Sequence, residues 1–354
     1  MKVTMKQIAQ LHGVSVNAVS LALNNKPGVS DEMRSKILRT AEETGYLESK
    51  DKYIRTFSRM NLCVMMQKKY SRDMNFYGRV LYAVVEEAKR NGYDILMNFF
   101  DDNHLEVPPM ICDHRVAGVG IRGKIKDENI AELQKYHIPI VLVDHASLTK
   151  SVDSILTDNK LGGFIETKYL IERGFKKIGF FGELKYSLSI KERFFGFKEA
   201  LDGLRGEYEI VPSTVEEYIS QYSVTEDIEE AVLSNDINKI IDCIKGIKQL
   251  PEAYICSNDK AAILLLTSLQ MLGYHAPKDI SVVGFDNIDM CEKINPKLTT
   301  VNVNKEIMGK RAVERLIYRI THRDSISENT VIGVNLVERD SVGFPSKPHL
   351  NEDK

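Results

Sequence analysis

Apolar residues in the first part of the chain recur at helical spacing, in three short stretches separated by turn residues. Thr4 is a good N-cap for the first stretch, and Gly13 ends it because glycine takes a positive φ without steric cost. Ser15 caps the second stretch, and the third runs from Ser30 to about Thr44. The expected apolar face of the first helix comprises Ile8, Ala9 and Leu11. Two short helices joined by a glycine-containing turn form a helix-turn-helix, although spacing alone also fits a three-helix bundle without a nucleic-acid partner.

From Leu62 onward the pattern changes to short apolar runs that alternate with amphipathic stretches. The runs lie at 62–66, 94–100, 116–121, 138–144, 177–182, 253–257 and 280–286, with helical stretches such as 76–93 and 159–175 between them. Strands that are apolar on both faces and alternate with helices predict parallel sheets covered on both sides. Two such units would bind ligands between them, at the carboxyl ends of the strands. The predicted fold class is α/β, with a small all-α helix-turn-helix head followed by two parallel-sheet lobes.

Length and composition narrow the class of protein. The chain has 354 residues, which suggests two or three domains, and it is 43% hydrophobic and 28% charged, as in ordinary globular proteins. No apolar run approaches the roughly 20 residues of a membrane helix, and the first residues do not follow a signal-peptide pattern. The five cysteines are scattered without a CxxC pair, which fits reduced thiols. We therefore expect a cytoplasmic protein with no membrane partner.

The overall charge conceals a basic amino-terminal segment. Residues 1–60 carry ten Lys or Arg against six Asp or Glu, so the net charge of −2 leaves −6 on the remainder. Lys and Arg displace condensed counterions from phosphates, so a basic head on an acidic body suits a polyanion-binding head.

A set of residues at fixed offsets in the first 46 positions is more specific than helical spacing. The residues are Thr4, Ile8-Ala9, Gly13-Val14-Ser15, Val19-Ser20, Leu23-Asn24, Val29-Ser30, Arg34, Ile37 and Gly45-Tyr46. With them, the segment resembles the DNA-binding domain of the LacI–GalR family of transcription regulators. Residues 62–344 match the effector-binding core of that family, which is similar to periplasmic sugar-binding proteins, so the resemblance covers nearly the whole chain.

The resemblance places three side chains of the second helix at base edges. Asn17 can make a bidentate contact to adenine, whereas Val16 and Leu21 offer only apolar contact, for example to a thymine methyl group. Some relatives carry a polar or basic residue at the position of Leu21, so their operator sequences do not transfer. The expected phosphate contacts are Thr4, Ser15, Ser20, Asn24 and Asn25.

The following linker departs from the family pattern. In the family a hinge helix orders on DNA and inserts an apolar side chain into the minor groove, and its usual pattern is a small residue, Arg, a small residue and Leu. The nearest match is 54–57, which makes Arg55 a DNA contact and Phe57 the inserted side chain. The spacing from Tyr46 differs, and the common Pro and Ala residues are missing. Packing of Phe57 on the body is an equal alternative.

Candidate effector contacts lie at strand ends and helix starts in the body. Asp144 and Asp286 each end an apolar run, Asn258 follows another, and Arg193 lies in a helical stretch. By resemblance these four positions contact the effector, whereas that of Asp259 is more often structural. Carboxylates and a guanidinium suit bidentate bonds to vicinal hydroxyls. Two further candidates are Phe76, as a stacking or apolar face, and Arg122, which would favour an acidic or phosphorylated ligand.

One string favours an enzyme instead. Residues 118–123 read GVGIRG, a literal GxGxxG, and Asp144 follows at the spacing of an acidic residue that binds a nicotinamide ribose. The context does not fit, because the glycines form the strand rather than following a strand and opening a helix. No other catalytic constellation is found in the sequence, and no enzyme activity is expected. A solute-binding protein would share the body fold but not the helix-turn-helix.

The combined prediction is a sequence-specific DNA-binding repressor of carbohydrate-utilisation genes. A small-molecule effector, a sugar, would control it, with a purine or other metabolite as the alternative. Expected partners are a near-palindromic double-stranded DNA operator and a second copy in a homodimer; no cofactor or metal is expected. The expected domains are 1–47 (helix-turn-helix), 48–60 (hinge), 61–344 (effector and dimerisation core) and 345–354 (tail). In the core, lobe 1 spans about 61–157 and 302–332, and lobe 2 about 158–301 and 333–344.

Overall fold

A computed structural model describes residues 3–23, 28–46, 61–70, 74–101, 105–203 and 214–345. Its first part is a head of three helices: α1 (Met5–His12), α2 (Val16–Leu23) and α3 (Asp31–Glu43). Thr4 caps α1 in a reciprocal pair with Gln7, and Gly13 ends α1 with φ 61°. Ser15 accepts the Ala18 N–H at 3.0 Å, so the predicted caps of both helices are confirmed.

The three helices of the head share one small core. Its buried members are Ile8, Ala9, Val19, Ala22, Ile37 and Ala41. The prediction for Leu11 is wrong, because 68% of this residue is exposed. Ile8 and Ala9 fill the contact with α2 and α3, whereas Leu11, in the last turn of the eight-residue α1, extends toward solvent.

A six-stranded, wholly parallel sheet forms the centre of the first lobe of the body. Its strands, in spatial order, are β10 (Asn329–Ile332), β5 (Asp153–Thr157), β4 (Ile140–Val143), β3 (Gly118–Arg122), β1 (Asn61–Gln67) and β2 (Asp94–Phe100). The helices of this lobe are α4 (Arg79–Arg90), α5 (Pro109–Cys112), α6 (Asp127–Gln134) and α13 (Lys305–Thr321). We call this unit lobe 1.

A five-stranded sheet forms the centre of the second lobe. In spatial order its strands are β11 (Asn335–Val337), β9 (Thr299–Asn302), β8 (Ser281–Asp286), β7 (Ala253–Cys256) and β6 (Ile178–Phe181). Only β11 runs antiparallel to its neighbour. The helices are α7 (Asn159–Glu172), α8 (Leu188–Gly203), α9 (Val215–Tyr222), α10 (Glu229–Ser234), α11 (Ile237–Lys245) and α12 (Asp259–Met271). We call this unit lobe 2.

Each sheet has a separate hydrophobic cluster on each of its faces, as strands apolar on both sides require. The predicted α/β class with two mainly parallel sheets is therefore confirmed. Strands β5, β9, β10 and β11 were not among the predicted runs. They are short and partly polar, so their hydrophobic signal is weak.

The chain passes between the lobes three times, after Thr157, after Asn302 and after Ile332. The three passages lie side by side. The Asp158 N–H donates to the Ile332 carbonyl at 2.9 Å, and Asn302 faces Asn335 in the β9–β11 pair. Motion of one lobe relative to the other must therefore bend all three segments together.

Helices α7 and α8 of lobe 2 cross at very close range. A Cβ added to Gly163 would lie 2.0 Å from the Arg193 carbonyl oxygen, and one added to Gly196 would lie 2.0 Å from the Lys160 carbonyl oxygen. Glycine is therefore required at both positions for this crossing. The crossing brings the first turn of α7 against the middle of α8, which carries Arg193.

Among the described residues, no helix is both long and apolar enough to cross a bilayer. Within the same ranges, no group of three or more His, Cys, Asp or Glu side chains could hold a metal ion.

Candidate DNA-contact face and effector site

The second helix of the head presents one face to its neighbours and another to solvent. Val19 and Ala22 are buried in the head core, whereas Val16 and Asn17 are exposed. Ser20 and Leu21 lie one turn further along the exposed side and are half-buried. Residues three and four apart share a helix face, so Val16, Asn17 and Leu21 can be presented together to a groove.

Arg34 on α3 holds the carboxyl end of α2. Its guanidinium Nη1 donates to the carbonyls of Leu21 and Ala22, at 3.3 Å each. These carbonyls belong to the last turn of α2, where helix carbonyls have no partner within the helix and a positive charge is favourable. Arg34 therefore fixes α2 against α3, a role that sequence reasoning did not assign to it.

The predicted phosphate contacts fall into two groups. Thr4, Ser15 and Ser20 lie in the described head, and the first two cap helix N-termini, where backbone N–H groups and the helix dipole favour anions. Asn24, Asn25, Arg55 and Phe57 lie outside the described residues. Their DNA contacts stay predictions.

Arg193 on α8 is the centre of the candidate effector site and is 6% exposed. Its Nε donates to Asn159 Oδ1 at 3.0 Å, its Nη1 donates to the Ser257 carbonyl, and its Nη2 lies 3.5 Å from Asp286 Oδ1. The guanidinium carbon lies 3.7 Å from the centre of the Phe285 ring. One planar cation thus joins α7, the end of β7 and the end of β8, with a cation–π contact beneath it.

Asp286, the last residue of β8, has φ 114°, an uncommon conformation for a residue with a side chain. The Lys305 ammonium stabilises this turn by donating to the carbonyls of Asp286, Asn287 and Val303. Burial raises the pKa of Asp286 to about 8, against the opposing effect of Arg193. Strained residues of this kind concentrate at binding sites, where their surroundings hold them in place.

Asp144 follows β4 of lobe 1 and faces lobe 2. Ser189 Oγ lies 3.5 Å from Asp144 Oδ1, and Arg193 and Arg122 both favour its charged form. Burial nevertheless raises the pKa of Asp144. The structure therefore brings Asp144, Arg193 and Asp286 together at the carboxyl ends of the two sheets, as the strand-end argument predicts.

Arg122 and Phe76, both predicted to contact the ligand, are buried and packed against other residues of lobe 1. Arg122 is 2% exposed; its Nη1 donates to the Tyr77 carbonyl at 2.7 Å, and its guanidinium lies 4.2 Å from the centre of the Tyr77 ring. Phe76 is 6% exposed and belongs to the main core of lobe 1. Both aromatic residues lie in a π-helical turn (Met74–Gly78), a feature frequent at functional sites. Ligand contact by Arg122 and Phe76 stays a prediction.

Asn258 and Asp259 serve mainly the local structure. Asn258 caps α12 by accepting the Ala261 N–H at 2.9 Å, although its Nδ2 still reaches Ser257 Oγ at 3.3 Å. Asp259 is fully buried and accepts from the Ile288 N–H at 2.8 Å and the Thr300 hydroxyl at 2.5 Å. The bonds of Asp259 agree with its expected structural role, whereas the effector contact of Asn258 stays a prediction.

Sequence reasoning missed Asn159, Tyr77 and Lys305 around this site. Asn159 and Lys305 each begin a helix directly after the chain passes between lobes. Tyr77 could have been identified from the sequence, because it adjoins the predicted Phe76. Nothing in the sequence pointed to Lys305, because a lysine in the first turn of a helix usually points to solvent.

Two family models match the chain. Residues 4–49 match the model described as "Bacterial regulatory proteins, lacI family", and residues 167–342 match the model described as "Periplasmic binding protein-like domain". The two matches cover the head and most of lobe 2. The first includes all of the described helix-turn-helix, and the second includes Arg193, Asn258 and Asp286.

Known proteins match over nearly the full chain. An HTH-type transcriptional repressor PurR of Mannheimia succiniciproducens is 28% identical over 350 residues, which cover 96% of this chain and 98% of the relative. A CelR–cellobiose complex has a TM-score of 0.67 at 21% identity, covering 96% of this chain and 99% of the other. A lac repressor dimer bound to operator and the anti-inducer ONPF has a TM-score of 0.65 at 20% identity, with the same coverage.

The enzyme alternative does not fit these findings. The glycines of the GxGxxG string lie within β3 or directly after it, and not at the start of a helix. The matched relatives are transcription regulators. The head, the two-lobed body and both family matches place this chain in the LacI family of DNA-binding transcription regulators.

Proposed function

We propose that the protein is a cytoplasmic, homodimeric repressor of carbohydrate-utilisation genes whose operator affinity depends on a sugar bound between lobes 1 and 2. The observation that carries the proposal is the meeting of Asp144 from lobe 1 with Arg193 and Asp286 from lobe 2. A ligand that bonds to all three would change the preferred angle between the lobes, and only such differential binding can shift a conformational equilibrium.

The domain division that we propose follows the expected boundaries. A head of residues 1–47 and a hinge of 48–60 precede a core of 61–344. In that core, lobe 1 takes about 61–157 and 302–332, lobe 2 takes about 158–301 and 333–344, and 345–354 form a tail. Two heads in a homodimer would read two half-sites of a near-palindromic operator, because one small head makes few base contacts.

The chemistry of the site supports a sugar. Two carboxyl groups and a guanidinium can form hydrogen bonds with vicinal hydroxyls, and aromatic rings at Phe76 and Tyr77 offer an apolar face to a pyranose or furanose. The structural neighbour CelR was solved with cellobiose, which is consistent with this class of effector.

A purine is the second candidate effector. Phe76 and Tyr77 lie edge to face with ring centroids 5.0 Å apart, close to Arg122. An aromatic pair beside a guanidinium could stack a planar base. The full-length similarity to repressors named PurR also favours this alternative.

Selection of bound DNA by the purified protein tests the regulatory function. We expect a near-palindromic motif with two half-sites, and the genes beside its genomic matches would be carbohydrate-utilisation genes. Failure to enrich any motif, with and without the compounds below, would contradict the proposal. Thermal-shift screening and calorimetry with cellobiose, D-ribose, hypoxanthine and guanine would then separate the effector classes. Arg193→Ala should abolish binding of the compound that the wild type binds.

A further inference from the structure

Asn159 is held by two bonds from its side-chain amide, and only 3% of the residue is exposed. Its Oδ1 accepts from Arg193 Nε at 3.0 Å, and its Nδ2 donates to Glu192 Oε2 at 3.1 Å. The two partners are consecutive residues of α8. Because one partner is a donor and the other an acceptor, the orientation of the amide group is fixed.

The backbone around Asn159 is attached to the passages between the lobes. The preceding residue, Asp158, donates its N–H to the Ile332 carbonyl at 2.9 Å, and its carboxylate caps α7 at the Leu161 N–H at 3.1 Å. The first passage is thereby bonded to the third. A change in the angle between the lobes moves this segment, and the Asn159 side chain is the direct contact from the segment to Arg193.

We propose that Asn159 is a positioning residue that orients the Arg193 guanidinium and couples its position to the passages between the lobes. The proposal rests on the effector-binding role proposed above for Arg193. An arginine side chain loses rotamer entropy when it is fixed, so an acceptor that already holds Nε reduces the entropic cost that effector binding must offset. The bond at Nε also sets the plane in which both terminal nitrogens lie, and thus their direction toward Ser257 and Asp286.

The neutral amide suits this role better than a carboxylate. Aspartate at this position would keep an acceptor for Arg193 but would lose the donor to Glu192. It would also place a second acid against Glu192, whose pKa is already raised by burial. The two bonds of residue 159 therefore use an acceptor and a donor on separate atoms, which the asparagine amide supplies.

The matched control is Asn304. It follows the second passage between the lobes and is the N-cap of α13. Its side chain caps α13 by accepting the Ile307 N–H at 3.0 Å. Asn304→Ala thus removes an asparagine contact at a neighbouring passage, whereas Asn159→Ala removes the contact to Arg193.

The first experiment needs no effector. The Nε–H signal of Arg193 is recorded by NMR in protein labelled with ¹⁵N-arginine and is assigned by its loss in Arg193→Lys. We expect Asn159→Ala to shift this signal and to accelerate its exchange with water at least tenfold, Asn159→Asp to retain slow exchange, and Asn304→Ala to leave the signal unchanged. An unchanged signal in Asn159→Ala would overturn the proposal. Asn159→Ser provides the same comparison if the alanine variant does not fold.

The second experiment measures binding and operator release with cellobiose and D-ribose as probes. Relative to Asn304→Ala, Asn159→Ala should lower the affinity for the probe at least tenfold. It should also reduce the effect of the probe on operator binding, measured as the operator affinity without probe divided by that with probe. Equal effects of the two variants would mean that Asn159 acts only on folding. A wild-type protein that binds neither probe would contradict the sugar effector, while the NMR comparison would still decide the role of Asn159.

Discussion

Arg79, at the start of α4 in lobe 1, forms an ion pair with Asp289, which follows β8 in lobe 2. The same guanidinium lies 3.5 Å from Glu306 in the first turn of α13. Lys69 of lobe 1 also lies over the Tyr186 ring of lobe 2, 5.0 Å from its centre. Together with the Asp144–Ser189 contact, these pairs connect lobe 1 directly to lobe 2.

Removal of the Arg79–Asp289 pair should favour lobe opening to a small extent. Both side chains are about half exposed, and exposed ion pairs contribute about 0.2–1 kcal/mol, so Arg79→Ala should shift the ratio of closed to open forms about 1.5- to 5-fold. Distances between spin labels at positions 101 and 185 would report the change. Arg90→Ala removes an exposed arginine at the other end of α4 and should have no effect. A distance distribution in Arg79→Ala that matches the wild type would show that the Arg79–Asp289 pair does not hold the lobes together.

Asn17→Ala should change which DNA sequences the protein distinguishes. A bidentate contact to a base is worth about 1–3 kcal/mol of discrimination, so preference at one base pair of each half-site should fall by that amount. The salt dependence should stay the same, because no phosphate contact is removed. Binding to a set of single-base operator variants measures the effect, with Gln10→Ala, an exposed residue of α1, as the control. Retained discrimination at every position would show that Asn17 does not read a base.

Glu166→Gln should stabilise lobe 2 above about pH 5. Glu166 is fully buried, neither side-chain oxygen has a hydrogen-bond partner within the described ranges, and burial raises its pKa well above 4.5. The folded state therefore keeps a proton that the unfolded state loses, so the free energy of unfolding falls as pH rises from 4.5 toward the folded pKa. One proton gives a slope of at most about 1.4 kcal/mol per pH unit.

Urea denaturation between pH 4.5 and 8 would measure this slope. The glutamine variant should lose part of it, and Glu172→Gln, an exposed acid of the same helix, should not. Equal slopes in wild type and Glu166→Gln would show that Glu166 is ionised in the folded protein.

Gly196→Ala should disrupt the crossing of α7 and α8. The new Cβ would lie 2.0 Å from the backbone oxygen of Lys160, which cannot move without displacing α7. We expect a loss of about 3 kcal/mol or more, because overpacking against backbone exceeds the usual cost of about 1–3 kcal/mol for side-chain contacts. Gly203→Ala, on the same helix and with no atom of the described residues within 4 Å of the new Cβ, should be neutral or slightly stabilising. Thermal unfolding of the two variants makes the comparison, and similar melting temperatures would contradict the steric argument.

Sequence reasoning predicted the parts of the fold whose signal is local. The caps at Thr4 and Ser15 and strand β2 (Asp94–Phe100) follow from residues near in sequence, and the structure has them as expected. Placement of Asp144 and Asp286 at strand ends also needs only the period of the apolar runs. For these features, local propensity and tertiary packing favour the same conformation.

The features that were missed depend on contacts between distant segments. Arg122 ends an apolar strand and suggests a ligand contact, but its guanidinium lies on Tyr77, 45 positions earlier in the chain. Asn159 and Arg193 are 34 positions apart, and their bond exists only because glycines let α7 and α8 approach. No periodicity in one segment carries information about such pairs.

The three adjacent passages between the lobes restrict the kind of movement that the body can make. A single linker would permit rotation of the lobes about several axes. Three adjacent passages permit rotation about one axis only, because rotation about any other axis would stretch at least one of them. Side chains around the effector can then change during evolution without altering the direction of the lobe movement that reaches the DNA-binding heads. Such a body can serve many chemical signals with the same mechanical output.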